Sequence, residues 1–210
     1  MMRREWCGNK TDLTEAELAC LRKYLSLFEK PTYLEIGVYF GGSFAHVLNY
    51  LKENKTDFKA YGLDLFEDLV HETGSKQHQA HDIRNKWSMI NAASRDELDY
   101  CLQQKGLKNY YLLRGQSHET VQRVPVRPDV YFLDGNHTYE QTKKDVEACL
   151  EKAKIGSYVI LHNASKDIPP DPEYVMCDGG PWRVAEELKK GSRCTYVELV
   201  DRCAVLKVIK

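Results

Sequence analysis

Apolar residues recur at helical spacing at Leu18, Leu21, Leu25 and Phe28, behind a Thr14/Glu17 pair spaced as a capping box. This predicts a first helix over about 14–28, stopped by Pro31. Short apolar runs then alternate with helix-period stretches. Strands are expected at 32–36, 59–64, 109–114, 129–133 and 158–161. Between them the spacing predicts helices over about 43–52, 95–105 (opened by Ser94, ended by Gly106) and 139–153, with a short one after Gly115-Gln116-Ser117. A last helix has Pro181 suited to N1 and Gly191 to C′. The runs 195–200 and 204–209, separated by Asp201-Arg202-Cys203, read as a terminal hairpin.

Five alternations of strand and helix define an α/β architecture with a mostly parallel sheet covered on both faces. Asp129-Val-Tyr-Phe-Leu133 is a near-continuous apolar strand of the kind buried on both sides. In such sheets ligands sit beyond the carboxyl ends of the strands, which here carry Glu35, Asp64, Gly115, Asp134 and His162. A purely structural sheet has no need to aim polar residues and glycines at one edge.

Two stretches break the alternation, at about 65–91 and 164–180, and both read as lid-like loops. His71, His78 and His81 lie in the first, without a nearby cysteine or carboxylate pattern to complete a tetrahedral metal site, so they read as solvated loop residues. Trp87 and the Pro169–Pro172 segment are better suited to close over a substrate, and Trp182 to helix packing.

At 210 residues and 42% hydrophobic, the chain suits one domain over 1–210 with one well-filled core. A formal charge of −1 with scattered basic residues argues against nucleic acid. The absence of a long apolar run argues against a membrane, and no apolar leader follows Met1, so a cytoplasmic protein is expected. Seven cysteines without a Cys-x-x-Cys pair read as reduced thiols, mostly small buried hydrophobes.

The glycine turn after the first strand, Gly37-Val-Tyr-Phe-Gly41-Gly-Ser43, fits neither familiar phosphate cradle. Tyr39 stands where the dinucleotide fingerprint needs its second glycine, and Ser43 where a Walker A loop needs lysine. Asp64, one strand–helix–strand unit later, is where an open α/β fold places the acid that accepts a ribose diol.

Glu35-x-Gly37-x-x-x-Gly41-Gly-Ser43 resembles motif I of class I S-adenosylmethionine (SAM) methyltransferases, small-molecule subgroup. Asp134-Gly-Asn136-His137-Thr-Tyr139, Asp145, Gly156 and His162-Asn163 resemble the later signature of the same subgroup, the methyltransferase-24 and cephalosporin-hydroxylase-like proteins. The resemblance implies a Rossmann-like, doubly wound seven-stranded sheet with a C-terminal antiparallel hairpin. It implies SAM as cofactor, seated by Glu35 (through the ammonium), Gly37, Tyr39, Gly41, Ser43, Asp64, Gln116, Ser117 and Asp134. It also implies methyl transfer to a small-molecule acceptor, at a hydroxyl or carboxylate oxygen, with Asp134, His137 and His162 handling the acceptor. Catechol O-methyltransferase-like relatives hold Mg²⁺ with an Asp ending strand four and an Asp-Asn pair ending strand five. Asp134, His162 and Asn163 fall at those positions, and the imidazole would shift preference toward a transition metal or abolish the site. Asn136 and Asn163 stand where the subgroup commonly has aspartates. Without a metal, His137 and His162 are candidate general bases. The alternatives are a hydroxylase-like relative and a SAM-sensing or scaffold protein. A homodimer through the first helix and the hairpin is compatible with the sequence without being required.

Overall fold

The computed structural model describes residues 7–9, 11–66, 93–167 and 179–210. Its elements, in chain order, are α1 Glu15–Ser26, β1 Thr32–Ile36, α2 Gly42–Asn54, β2 Lys59–Asp64, α3 Arg95–Gln104, β3 Tyr110–Arg114 and α4 Ser117–Arg123. They continue with β4 Val130–Leu133, α5 Tyr139–Lys152, β5 Tyr158–Leu161, α6 Gly180–Lys190, β6 Cys194–Val200 and β7 Cys203–Val208. Most of the two lid-like stretches, with His71, His78, His81, Trp87 and Pro169 to Pro172, lies outside the described residues.

The strands form one seven-stranded sheet in the order β3-β2-β1-β4-β5-β7-β6. The first five are parallel, and β7 joins β5 antiparallel. The sequence shows a terminal hairpin but not which of its strands lies inside. It is the last one, because Cys203, Ala204, Val205 and Leu206 are all buried, whereas β6 alternates and takes the edge. Strand order reverses between β1 and β4, so the connections leave these neighbours in opposite directions and open a crevice at their carboxyl ends.

Alternation of side chains explains the continuous apolar strands. Phe132 enters the core under α1, α2 and α3 with Leu21, Phe44, Leu48 and Leu98. Tyr131 and Leu133 enter the opposite core under α4, α5 and α6 with Val121, Val146, Cys149 and Val184. Thr14 and Ser94 each complete a capping box, with Glu17 and Glu97. The six cysteines among the described residues are free, all buried except the partly buried Cys101. Among the described residues, no helix is long and apolar enough to cross a membrane.

Candidate active site

The β1–β4 crevice is lined by two loops in direct contact. Gly37 has φ 84°, and a Cβ there would collide with the backbone carbonyl of Asp134. Its glycine is therefore demanded by the neighbouring loop as well as by the turn. Gly41 (φ 75°) leads into α2 with no side-chain cap, and a Cβ there would strike Leu98. That first turn also carries no acidic residue, so the positive end of the helix is left facing the crevice. Asp64 fixes the turn from below: its two oxygens accept the backbone N–H groups of Tyr39 at 2.8 Å and Phe66 at 3.1 Å. Each oxygen keeps a lone pair for a further donor. Tyr39, at φ 52°, is exposed at the rim.

Glu35 is placed differently from its expected role. It shares a strand face with Tyr33, lies completely buried beneath α2, and accepts from Tyr33 Oη at 2.6 Å and Ser43 Oγ at 2.5 Å. Burial pushes its pKa up to about 8, against the hydrogen bonds from Ser43 and Tyr33. With no accessible surface on Glu35 and little on Ser43, the pair supports the turn from behind in this arrangement.

On the β3 side, Gln116 precedes α4 as its N-cap residue without a side-chain cap. Ser117 is not a cap either, since its Oγ donates to Asp145 Oδ1 at 2.6 Å, which also accepts from Gln141 Nε2 at 2.9 Å. Burial lifts the Asp145 carboxyl to about 6, opposed by those two hydrogen bonds.

The loop after β4 and the end of β5 bring Asp134, His137, His162 and Asn163 together. Asp134 Oδ1 faces His162 Nδ1 at 2.6 Å and His137 Nε2 at 3.2 Å, and Asn163 Nδ2 lies 3.4 Å from His137 Nδ1. Asn136 is a loop device: its Oδ1 accepts the Thr138 N–H at 2.9 Å in an Asx turn that starts α5. The His137 carbonyl accepts from Gly180, whose absent side chain lets α6 seat directly on the 137–139 backbone.

Exposure falls along this cluster from the crevice inward: 23% for Asp134, 15% for His137, 4% for His162 and zero for Glu17, whose Oε1 lies 3.5 Å from His162 Nε2. Burial alone would lower the His162 pKa, but the charge of Asp134 and the contacts to Asp134 and Glu17 raise it to about 9. Burial would raise Asp134, yet the two histidines hold it down at about 2. His162 has a carboxylate oxygen near each ring nitrogen, and of the two candidate histidines His137 is the more exposed to the crevice. Glu17 was visible in sequence only as a helix-capping residue, and nothing there linked it to the site.

Donor atoms of Asp134, His137 and His162 lie within 4.8 Å of one another, close enough to surround an ion. The arrangement nevertheless does not fit one. Ligands at about 2.1 Å and right angles stand about 3 Å apart, whereas His162 Nδ1 and Asp134 Oδ1 are 2.6 Å apart, in direct hydrogen-bond contact. Asn163 adds only a neutral amide, and its side chain turns to His137.

This open α/β fold, with a crevice at its switch point and an acid, an imidazole and an uncapped helix around it, is that of the methyltransferases. A profile of a methyltransferase domain matches residues 34–164, and the chain belongs to that family, methyltransferase-24. Among solved structures, the O-methyltransferase NovP is similar at TM-score 0.68 and 17% identity, over 95% of this chain and 82% of that one. An O-methyltransferase from Klebsiella pneumoniae, itself assigned by inference, matches at TM-score 0.66 and 17% identity, over 100% and 87%. The O-methyltransferase TomG from Streptomyces achromogenes, in complex with SAM, matches at TM-score 0.64 and 14% identity, over 94% and 82%. At these identities the likeness is one of fold. No curated protein matches the chain significantly.

Proposed function

We propose that this protein transfers the methyl group of SAM to an oxygen of a small-molecule acceptor, with His137 as the general base. The observation that carries this reading is the meeting of the two loops: Gly37 packs on the Asp134 carbonyl, so the turn suited to the cofactor and the Asp134–His137 pair share one crevice. SAM supplies an activated methyl on a sulfonium, which an acceptor oxygen attacks in line.

The residues of the chain do the rest. The uncapped start of α2 suits the cofactor carboxylate, and Asp64 has lone pairs left for a ribose diol. Ser117, held by Asp145, and Gln116 stand at the end of β3 where the base would lie. His137 donates Nε2–H to Asp134 and keeps Nδ1 as the proton acceptor, where the 3.4 Å contact with Asn163 is long enough for an acceptor hydroxyl to replace. As the O–CH₃ bond forms and the S–CH₃ bond breaks, the hydroxyl proton passes to His137, and the Asp134 carboxylate stabilises the imidazolium so formed. A carboxylate acceptor would need no such base. NovP and TomG, O-methyltransferases by name, support an oxygen acceptor.

Calorimetric titration with S-adenosylhomocysteine tests the cofactor half. We expect micromolar binding, weakened about tenfold or more by Asp64→Ala, the worth of a hydrogen bond to a charged group. No binding by the wild-type chain would overturn the assignment.

A further inference from the structure

Two groups from outside the family-matched segment reach this corner: Glu17 on α1 and Arg202 in the turn between β6 and β7. Glu17 has no exposed surface, yet it makes four contacts besides its own cap, three to Arg202 and one to His162. Arg202 donates from Nε to Oε1 at 3.0 Å, from Nη2 to Oε2 at 2.9 Å and from its backbone N–H to Oε1 at 3.2 Å. His162 Nε2 faces Oε1 at 3.5 Å, too long for a good hydrogen bond and the nearest acceptor given to that buried nitrogen among the described residues. The placement is built in from both chain ends: Thr14 Oγ1 donates to Asp201 Oδ2 at 2.6 Å, and the Arg202 carbonyl accepts from Ala164 N–H at 2.8 Å.

The contacts run Arg202, Glu17, His162, Asp134, with signs alternating plus, minus, plus, minus. The row is neutral only when the imidazole carries both ring protons, and a ring with a carboxylate oxygen at each nitrogen has something to donate to on both sides. Losing one proton would leave a net negative charge in a row whose two middle members are buried, which is costly. A divalent ion bound to Asp134 would sit beside the ring cation and compete with it for the same oxygen.

We propose that Glu17 is a positioning residue of the acceptor site. It pins the His162 ring against Asp134, keeps the Asp134 carboxylate beside His137, and closes this corner to divalent ions, so that methyl transfer here runs without a metal. The last clause rests on the function assigned above; the claims about the ring and the ion stand on the contacts alone. The ring cation takes the place that the resemblance gives to Mg²⁺, and it reaches the acceptor only through Asp134.

The test uses the full chain, with Mn²⁺ as probe followed by electron paramagnetic resonance, and a parallel titration with S-adenosylhomocysteine. Wild type is expected to bind no Mn²⁺ at millimolar concentration and to bind S-adenosylhomocysteine equally with and without EDTA. Glu17→Gln frees the ring to lose a proton and to ligate. It should gain Mn²⁺ affinity by about tenfold or more, and the gain should vanish when Asp134→Asn is added. Tight Mn²⁺ binding by wild type that Asp134→Asn removes would overturn the proposal, as would a folded Glu17→Gln protein with no gain. Should Glu17→Gln fail to fold, ¹⁵N-histidine spectra of wild type decide. At neutral pH one doubly protonated ring is expected, missing from the His162→Asn spectrum; only neutral rings would overturn the proposal. Absence of S-adenosylhomocysteine binding would sink the cofactor assignment instead and leave the metal readings intact.

Discussion

Glu35 and Glu17 are both fully buried, and they end in opposite states. Glu35, behind the glycine turn, is pushed up to about 8 by burial, which outweighs the hydroxyls of Ser43 and Tyr33. Glu17, behind the acceptor corner, also pays for burial, but His162, Arg202 and the Thr14 backbone hold it down at about 2. Neutral donors leave a buried carboxyl protonated, whereas cations keep it ionised. The glycine-turn end of the crevice is thus backed by a neutral polar cluster, and the Asp134–His162 end by an alternating row of charges.

The contrast breaks most sharply on truncation. Glu17→Ala leaves the partly exposed Arg202 guanidinium and the buried His162 ring without their shared carboxylate, and the loss should lie between the worth of an exposed ion pair and the roughly 3–5 kcal/mol of a fully buried one, at about 2–3 kcal/mol. Urea unfolding near pH 7 should show that loss. A cost below about 1 kcal/mol, the range of exposed ion pairs, would mean that the row of charges contributes no more than a surface contact.

A smaller effect is expected on the pH dependence of wild type. Glu17 falls from 4.5 to about 2 on folding, so its contribution is complete above pH 4.5 and is lost as pH falls through about 2. His162 rises from 6.5 to about 9, so its contribution is complete below pH 6.5 and is lost as pH rises through about 9. Thermal melts should therefore show stability declining on both sides, with His162→Gln removing part of the alkaline decline and, because the ring also holds Glu17 and Asp134 down, shrinking the acid limb as well. An unchanged alkaline limb in that variant would put the proton elsewhere.

Much of this was legible in the sequence. The five parallel strands, the helices between them and the capping residues Thr14 and Ser94 follow from local pattern and turn chemistry, which act over a few residues. Asp134 and His162 stand out in the sequence because they follow the apolar runs of adjacent strands, and His137 because it sits in the signature that follows Asp134. The state of His162 was hidden, since it depends on Glu17 and Arg202, 145 positions before it and 40 after, brought close only by the sheet order. The depth of Glu35 was more readable: strand alternation puts it on the face of Tyr33, inside the protein, although the motif draws attention to the strand end instead. Asn136, a departure from the family pattern, proves to start a helix.

The finest test of the comparison is Glu35→Gln. Glu35 is raised from 4.5 to about 8, so its contribution is complete below pH 4.5 and is lost as pH rises through about 8. A glutamine has the shape of the protonated acid and does not ionise. Near pH 4 the substitution should change stability by no more than about 0.5–1 kcal/mol, because the side chain is then largely neutral in both the folded and the unfolded chain. As pH rises from 4.5 to 8 the variant should gain steadily on wild type, because only wild type must take up a proton to fold, and above pH 8 it should be clearly the more stable protein. Paired urea titrations at pH 4 and 9 read the difference directly. Were Glu35→Gln as damaging at pH 6 as Glu17→Ala, Glu35 would be an ion there, and the two ends of the crevice would rest on the same kind of support.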